Sequence, residues 1–372
     1  SREIFEYLFE VGLLKKRGLR YTYRLNGIFE YFLAYYIKEH PEFKEVLLEN
    51  DSILLSFQNE LEIYSGFSRN DERFLKALFE KTTLVFDKEI KKYKKIGTVD
   101  FVLNHKLGNA ESFAETVKKL KVNNPLSYQV QDAIQDQINP IAFDSEVHLK
   151  ELKNVENLNY EVLEKYLSIL AKVFKNSDGI KDLKLIDTIF DYLIEAYCIL
   201  GFILLDECEK AVIEENLFAF SDKDSEHILG EEIVKLIAKF IPILTQVHLV
   251  DGIGHANFSK IVHNKIDILK VDSKNNQFKL FLLYFLLIDI DINKNKDLIS
   301  DVFEIINMPT LKVSTVFKLN FYHAFKANNN KKLEQFFLNS IQKGQMRLDN
   351  KVKDGDLQQP LAEMRKKNLR NK

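Results

Sequence analysis

The sequence predicts an all-α protein, on three observations. Apolar residues recur at i, i+3, i+4 and i+7 along most of the chain, the spacing of one helix face. Breaks rich in Asn, Asp, Lys and Gly separate these stretches at intervals typical of helices. Only residues 19–25 alternate apolar and polar side chains as a strand does.

In chain order, the segment from Ile4 to Leu14 has helical spacing interrupted by Gly12. A basic turn, Lys15-Lys16-Arg17-Gly18, separates it from the strand pattern Leu19-Arg20-Tyr21-Thr22-Tyr23-Arg24-Leu25. From Ile28 helices dominate. Residues 28–40 form one, ended by Pro41 because the residue before a proline avoids helical geometry. Residues 42–49 and 53–64 follow. Asn70 is the expected N-cap of a helix running to about Lys81, with acids in its first turn, and a further helix covers residues 88–93. Residues 110–120 are helical, between turn signals that include Asn123-Asn124-Pro125 and Asn139-Pro140. Strong periodicity returns at residues 160–174, 183–197, 201–215, 225–240, 256–269, 277–288, 296–306, 313–327 and 331–342. This succession predicts a superhelical, repeat-like array of helix pairs, with a compact irregular bundle as the competing arrangement.

Bulk properties narrow the function classes. A chain of 372 residues exceeds one ordinary core, so several domains or an elongated array are expected. Hydrophobic content of 46% and charged content of 29% exclude a disordered chain. A net charge of −2 gives no reason to expect nucleic acid as a partner. The two cysteines, Cys198 and Cys208, are too few for a disulfide framework and their spacing suits no zinc site, so they read as core thiols in a reducing compartment. The longest apolar runs, residues 196–205 and 280–288, fall short of the ~20 residues of a membrane helix. The chain opens at Ser1 in a helical pattern, with neither Met nor a signal-peptide pattern. Further sequence upstream and a cytoplasmic location are therefore expected.

The search for chemistry yields no catalytic, cofactor-binding or metal-binding residue. No glycine is followed by lysine, so a G-x-x-x-x-G-K-[ST] phosphate loop is excluded from this chain. G-x-S-x-G, H-E-x-x-H and C-x-x-C are also missing. Asp251-Gly252-Ile253-Gly254-His255 reads as a loop and cap. On one helix His255 and His263 would be about two turns apart, too far to share a metal with each other or with His248. The 29 Phe and 15 Tyr read as core wherever they fall at helical spacing, as do Phe281 and Phe285, or Leu333, Phe336 and Phe337; Tyr35, Tyr36 and Tyr64 read likewise.

Helix, basic glycine turn and strand together suggest the end of a winged-helix domain. The stretch Tyr21-Thr22-Tyr23-Arg24-Leu25-Asn26-Gly27-Ile28-Phe29-Glu30-Tyr31-Phe32-Leu33-Ala34-Tyr35-Tyr36 resembles that part of bacterial STAND/NACHT (NLR-like) signal-transducing NTPases. An aromatic strand there precedes a helix carrying Glu-Tyr-Phe-x-Ala-x-Tyr, kept here as Glu30, Tyr31, Phe32, Ala34 and Tyr36. The segment from Phe57 to Asp71, with Asn59, Glu60, Tyr64, Gly66, Asn70 and Asp71, is similar to a stretch that follows the winged helix in many bacterial members. Family members often carry a phosphate-sensing histidine before the helix. Leu25 stands there in this chain and cannot donate a hydrogen bond, so no nucleotide-binding residue is carried over. The residues themselves imply structural roles: Ile28, Tyr31, Phe32 and Tyr35 share one helix face, expected to pack against the winged domain.

The resemblance implies the end of a winged-helix domain in residues 1–40, a helical arm in 41–122 and a connection in 123–158. A helical sensor in 159–342 and a polar, basic tail in 343–372 complete the expected organisation. It further implies a non-enzymatic, autoinhibitory sensor region in anti-phage defence. ATP or ADP and Mg would be held only by an upstream NTPase domain. The expected partners are a protein ligand of phage or stress origin, the upstream NTPase and effector domains, and further copies of the protein on activation. No membrane or nucleic-acid partner is expected. A helical interaction scaffold without an NTPase, a nucleic-acid-contacting helical array, and an enzyme marked by buried acids of shifted pKa are the competing readings.

Overall fold

The computed structural model describes residues 6–8, 10–11, 13–17, 20–23, 26–96, 160–213, 226–327 and 330–348. Expectations for residues 97–159, which include the connection, and for the tail beyond 348 lie outside them. The described residues are overwhelmingly helical, as the periodicity predicts. They divide into two compact units, Ser1–Asp87 with Glu146–Leu193, and Lys88–Ser145 with Ile194–Lys372.

The first unit opens with an antiparallel hairpin of β1 (Leu14–Arg17) and β2 (Arg20–Tyr23), in register Leu14 opposite Tyr23 and Arg17 opposite Arg20. The basic residues Lys15, Lys16 and Arg17 therefore lie in a strand, not in a turn as expected. Pairing with β2 supplies partners for that backbone, which the short basic run does not advertise. Then come α1 (Asn26–Glu39), α2 (Pro41–Glu49), α3 (Asp51–Ser56), α4 (Gln58–Phe67) and α5 (Glu72–Ile96), which contributes its residues through Asp87. Pro41 sits in the first turn of α2, where its missing N–H costs nothing. Residues 53–64, expected as one helix, split at Phe57. Asn50 caps α3 through the Ile53 N–H at 3.1 Å, and α4 starts afresh. The expected break near residue 81 is absent, because Phe74, Leu75, Leu78 and Phe86 continue one buried stripe. Helix α6 (Tyr160–Lys175), expected to belong with the C-terminal helices, packs on α3 and α4. Gly179 brings the following loop against α4's exit: its N–H donates to the Arg69 carbonyl at 3.1 Å, and a Cβ would stand 3.0 Å from that oxygen.

The second unit receives the end of α5 and most of α7 (Leu183–Ile213), then α8 (Glu226–Ile253), a 3-10 turn (Ala256–Phe258) and α9 (Ser259–Lys270). It continues through α10 (Gln277–Ile290), the single turn α11 (Ile292–Asn295), α12 (Leu298–Ile305), α13 (Pro309–Lys326) and α14 (Lys331–Leu348). Helix α10 is apolar on every side, and Leu280 through Ile288 are all fully enclosed. Helices α8, α9, α11 and α12 surround it, and α13 packs on α14 and α8. Residues 183–197 and 201–215, expected as two helices, are one helix through residue 213. Gly201 in its interior lets α8 approach: a Cβ there would meet Thr245 Oγ1 at 2.8 Å. Helix α8 likewise runs through Pro242 to Ile253, beyond its expected end at residue 240. An interior proline costs ~3 kcal/mol. Burial of Ile241, Ile243, Leu249 and Ile253 offsets it. Gly344 and Met346 are buried in α14, so residues 343–348 are core helix and not polar tail.

Leu183–Cys208 is one helix of 26 residues, long and apolar enough by length and composition to cross a membrane. The expected split at residues 198–200 hides this length in the sequence. In its most apolar window 72% of the residues are buried inside the protein, and Glu195 is ion-paired with Lys279 of α10, as in a core helix. Both cysteines lie in it as buried free thiols. Burial pushes Cys198 up to about 12 and Cys208 up to about 11, so neither forms a thiolate at neutral pH.

Candidate interaction surface on helix α1

The two stretches that carry the family resemblance come together in the first unit. Helix α1 packs along α4, and Asn59 Nδ2 donates to Glu30 Oε1 at 3.1 Å across the interface. Ala34 and Ile37 are fully buried on the same side. Alanine at the crossing lets the two helices approach closely, and the Glu30–Asn59 bond selects the register. On α4, Glu60, Leu61, Tyr64 and Ser65 turn inward. Burial raises the Glu60 carboxyl; its own backbone N–H opposes the shift and the Glu30 carboxylate adds to it.

Tyr64 and Asp71 form a second cluster, joined by Lys44 of α2. Tyr64 donates its hydroxyl hydrogen to Asp71, and Lys44 Nζ lies 2.6 Å from Asp71 Oδ2 and 2.9 Å from the Tyr64 hydroxyl. Asp71 Oδ1 also accepts from the Phe74 N–H at 3.1 Å. The N-cap of α5 is therefore Asp71 and not Asn70, which is exposed. Gly66 is exposed too, with open space where a Cβ would be. Nothing in the sequence singles out Lys44, because its two partners are 20 and 27 residues away.

Burial alone would raise the Asp71 carboxyl, but Lys44, Tyr64 and the Phe74 N–H outweigh it and hold it below its ordinary value. Glu62 behaves alike: burial raises it, and Lys175 and Lys172, at 2.7 and 3.1 Å, bring it down. A depressed carboxyl contributes stability that is present above its unfolded pKa of about 4 and is lost as pH falls through the folded value. Glu60, being raised, works in the opposite direction. Hydrogen exchange in residues 58–75, relative to the intrinsic rate at each pH, is thus expected to quicken as pH drops from 5 to 3. Asp71→Asn is expected to quicken it at pH 7 and flatten its pH dependence. An unchanged pH profile in that variant would remove Asp71 from the account.

The expected packing face of α1 is not the buried one. Tyr31 is 48% exposed, Phe32 52%, Tyr35 47% and Tyr36 46%, with Phe29 at 44%. The reading of these aromatics as core is overturned by the Glu30–Ala34–Ile37 side, which α4 occupies. The aromatic side is ordered by edge contacts of Tyr31 with Phe32 and Phe67, at 5.7 and 5.3 Å, and by Tyr36 stacked on His40 at 4.0 Å. Five half-exposed aromatic residues within eight positions make a surface suited to another protein.

His248, His263 and residues 251–255 lie in the second unit. His255 caps the 3-10 turn, with Nδ1 accepting from the Asn257 N–H at 3.3 Å; His263 is exposed on α9. Asp251 to Ile253 are the last turn of α8. Gly254 closes that turn so tightly that a Cβ would stand 2.3 Å from the Val250 carbonyl oxygen. Among the described residues no three His, Cys, Asp or Glu side chains are placed to hold a metal ion. Phe281, Phe285, Leu333 and Phe337 are core as read. In comparisons with known proteins, no family model, curated protein or solved structure matches the chain.

Proposed function

We propose that the chain is the ligand-sensing, autoinhibitory C-terminal region of a STAND/NACHT-type NTPase, acting in anti-phage defence. The observation that carries this reading is the pairing of the two motif stretches in α1 and α4, with the α1 aromatics left half-exposed. In this reading that surface is where the NTPase core docks, and the helices of the second unit recognise a protein ligand. The chain binds rather than catalyses. Nucleotide and Mg are held upstream. Ligand capture shifts the resting form toward an oligomer, which requires the ligand to bind the two states with different affinity.

The test is to read the open reading frame upstream of Ser1 and to purify the whole protein. A G-x-x-x-x-G-K-[ST] loop followed by an acidic strand end, with ADP co-purifying, is the expected result. In that protein the triple variant Tyr31→Ala, Phe32→Ala, Tyr35→Ala is expected to release ADP faster, because the docking surface is lost. An upstream sequence without such a loop would sink the reading and leave a helical scaffold for a constitutive partner.

A further inference from the structure

Helices α13 and α14 of the second unit lie antiparallel against each other. A Cβ on Gly344 would stand 2.6 Å from Val316; further along α13 and further back along α14, the Tyr322 and Phe337 rings lie 5.6 Å apart. His323 falls two turns beyond Val316 on the same face of α13, with the buried Leu319 and Ala327 one turn to either side. It is fully enclosed, and among the described residues neither ring nitrogen has a hydrogen-bond partner. Asn320 and Ser340, buried polar side chains of the same two helices, bond their own helix backbones at 2.8 and 2.9 Å. A neutral imidazole carries one N–H donor and one acceptor, so an apolar ring would serve the packing better.

Protonation makes both ring nitrogens donors and adds a charge. Glu334 of α14 is the charge that bears on His323 and favours the proton, as does the end of α13, in whose last turn His323 lies. Lys326, exposed one turn further on, opposes it. Helices α8 and α10 bring Gln246 and Asp289 to α13, and both are engaged with Lys318. Burial outweighs Glu334 and holds the imidazole below its ordinary value. The unfolded chain therefore takes up a proton that the folded one resists. The stability this gives is present above the unfolded value of about 6.5 and is lost as pH falls below it. Helix α14 packs chiefly on α13, whereas α10 is surrounded, so α14 can part from α13 without opening the core. We propose that the α13–α14 interface is an acid-sensitive latch, in which protonation of His323 loosens α14 and gives the imidazolium access to water and to Glu334. This does not rest on the function proposed above, because an upstream phosphate loop changes nothing at the interface.

The test is amide hydrogen exchange of the whole chain at pH 7.5 and 5.5, each rate taken relative to the intrinsic rate at that pH. This window lies above the range in which ordinary carboxylates titrate. Exchange in α14 is expected to rise roughly tenfold at pH 5.5, while that in α10 holds. His323→Phe keeps a ring in place that takes no proton, and is expected to abolish the rise. The imidazole resonances of the parent, followed through the same range, are expected to place the His323 midpoint below that of free histidine, and Glu334→Gln to lower it further. A midpoint at or above the free value, α14 exchange that ignores pH or is matched by α10, or a rise that survives His323→Phe overturns the proposal. Should His323→Phe fail to fold, the parent's midpoint and its α14 exchange decide between the same outcomes.

Discussion

Replacing Asp289 by leucine is expected to cost the second unit about 3–5 kcal/mol, because it strands a buried lysine. Asp289 of α10 and Lys318 of α13 face each other at 2.9 Å, with side chains 11% and 5% exposed. Gln246 of α8 completes the set: its amide donates to Asp289 at 2.8 Å and its carbonyl accepts from Lys318 at 2.5 Å. One polar cluster therefore ties three helices together. Burial lowers the Lys318 pKa even though Asp289 pulls it the other way, so desolvation already outweighs the partner. Without the carboxylate only the neutral Gln246 carbonyl is left to Lys318. The double variant Asp289→Leu, Lys318→Met is expected to recover most of the loss. What remains is the cost of Gln246 without its partners, about 1–3 kcal/mol. Urea unfolding followed by circular dichroism measures both. A single substitution costing under about 1 kcal/mol would mean that water reaches Lys318 and that the cluster does not hold the helices.

Phe281→Ala and Phe32→Ala delete the same benzyl group and are expected to differ several-fold in cost. Phe281 lies in the enclosed stretch of residues 280–288 in helix α10, with its ring 4.9 Å from that of Phe285. Truncation there leaves a cavity and is expected to cost about 3–5 kcal/mol. Phe32 is 52% exposed on α1, so its removal gives up little burial and is expected to cost under about 1 kcal/mol. The pair tests the central claim about α1. Comparable losses at the two positions would show that the α1 aromatics are packed in solution, and the case for a docking surface would fall.

Much of the helical order was legible in the sequence. Residues 160–174 and 277–288 were read within two residues of α6 and α10, where long buried stripes give unambiguous periodicity. Errors gathered where local signals opposed burial. The expected breaks at residues 198–200 and after 240 fall beside Gly201 and Pro242, and helix continues through both because neighbouring apolar residues gain more by packing than the breakers cost. The hairpin was half legible: β2 alternates, whereas β1 is a run of basic residues given its form by pairing.

The candidate surface was legible as a motif and misread as a core. From Ile28 to Ile37 α1 carries apolar or aromatic residues on all sides except at Glu30, so its sequence prefers no face. By itself the sequence determined the class of the protein, the positions of most helices and the two stretches that belong together. Only the tertiary structure decided which side of α1 is inside and which distant charges meet. Both choices depend on groups far apart in the chain, such as Glu30 with Asn59 and Asp289 with Lys318, and one-dimensional spacing carries no record of such pairings.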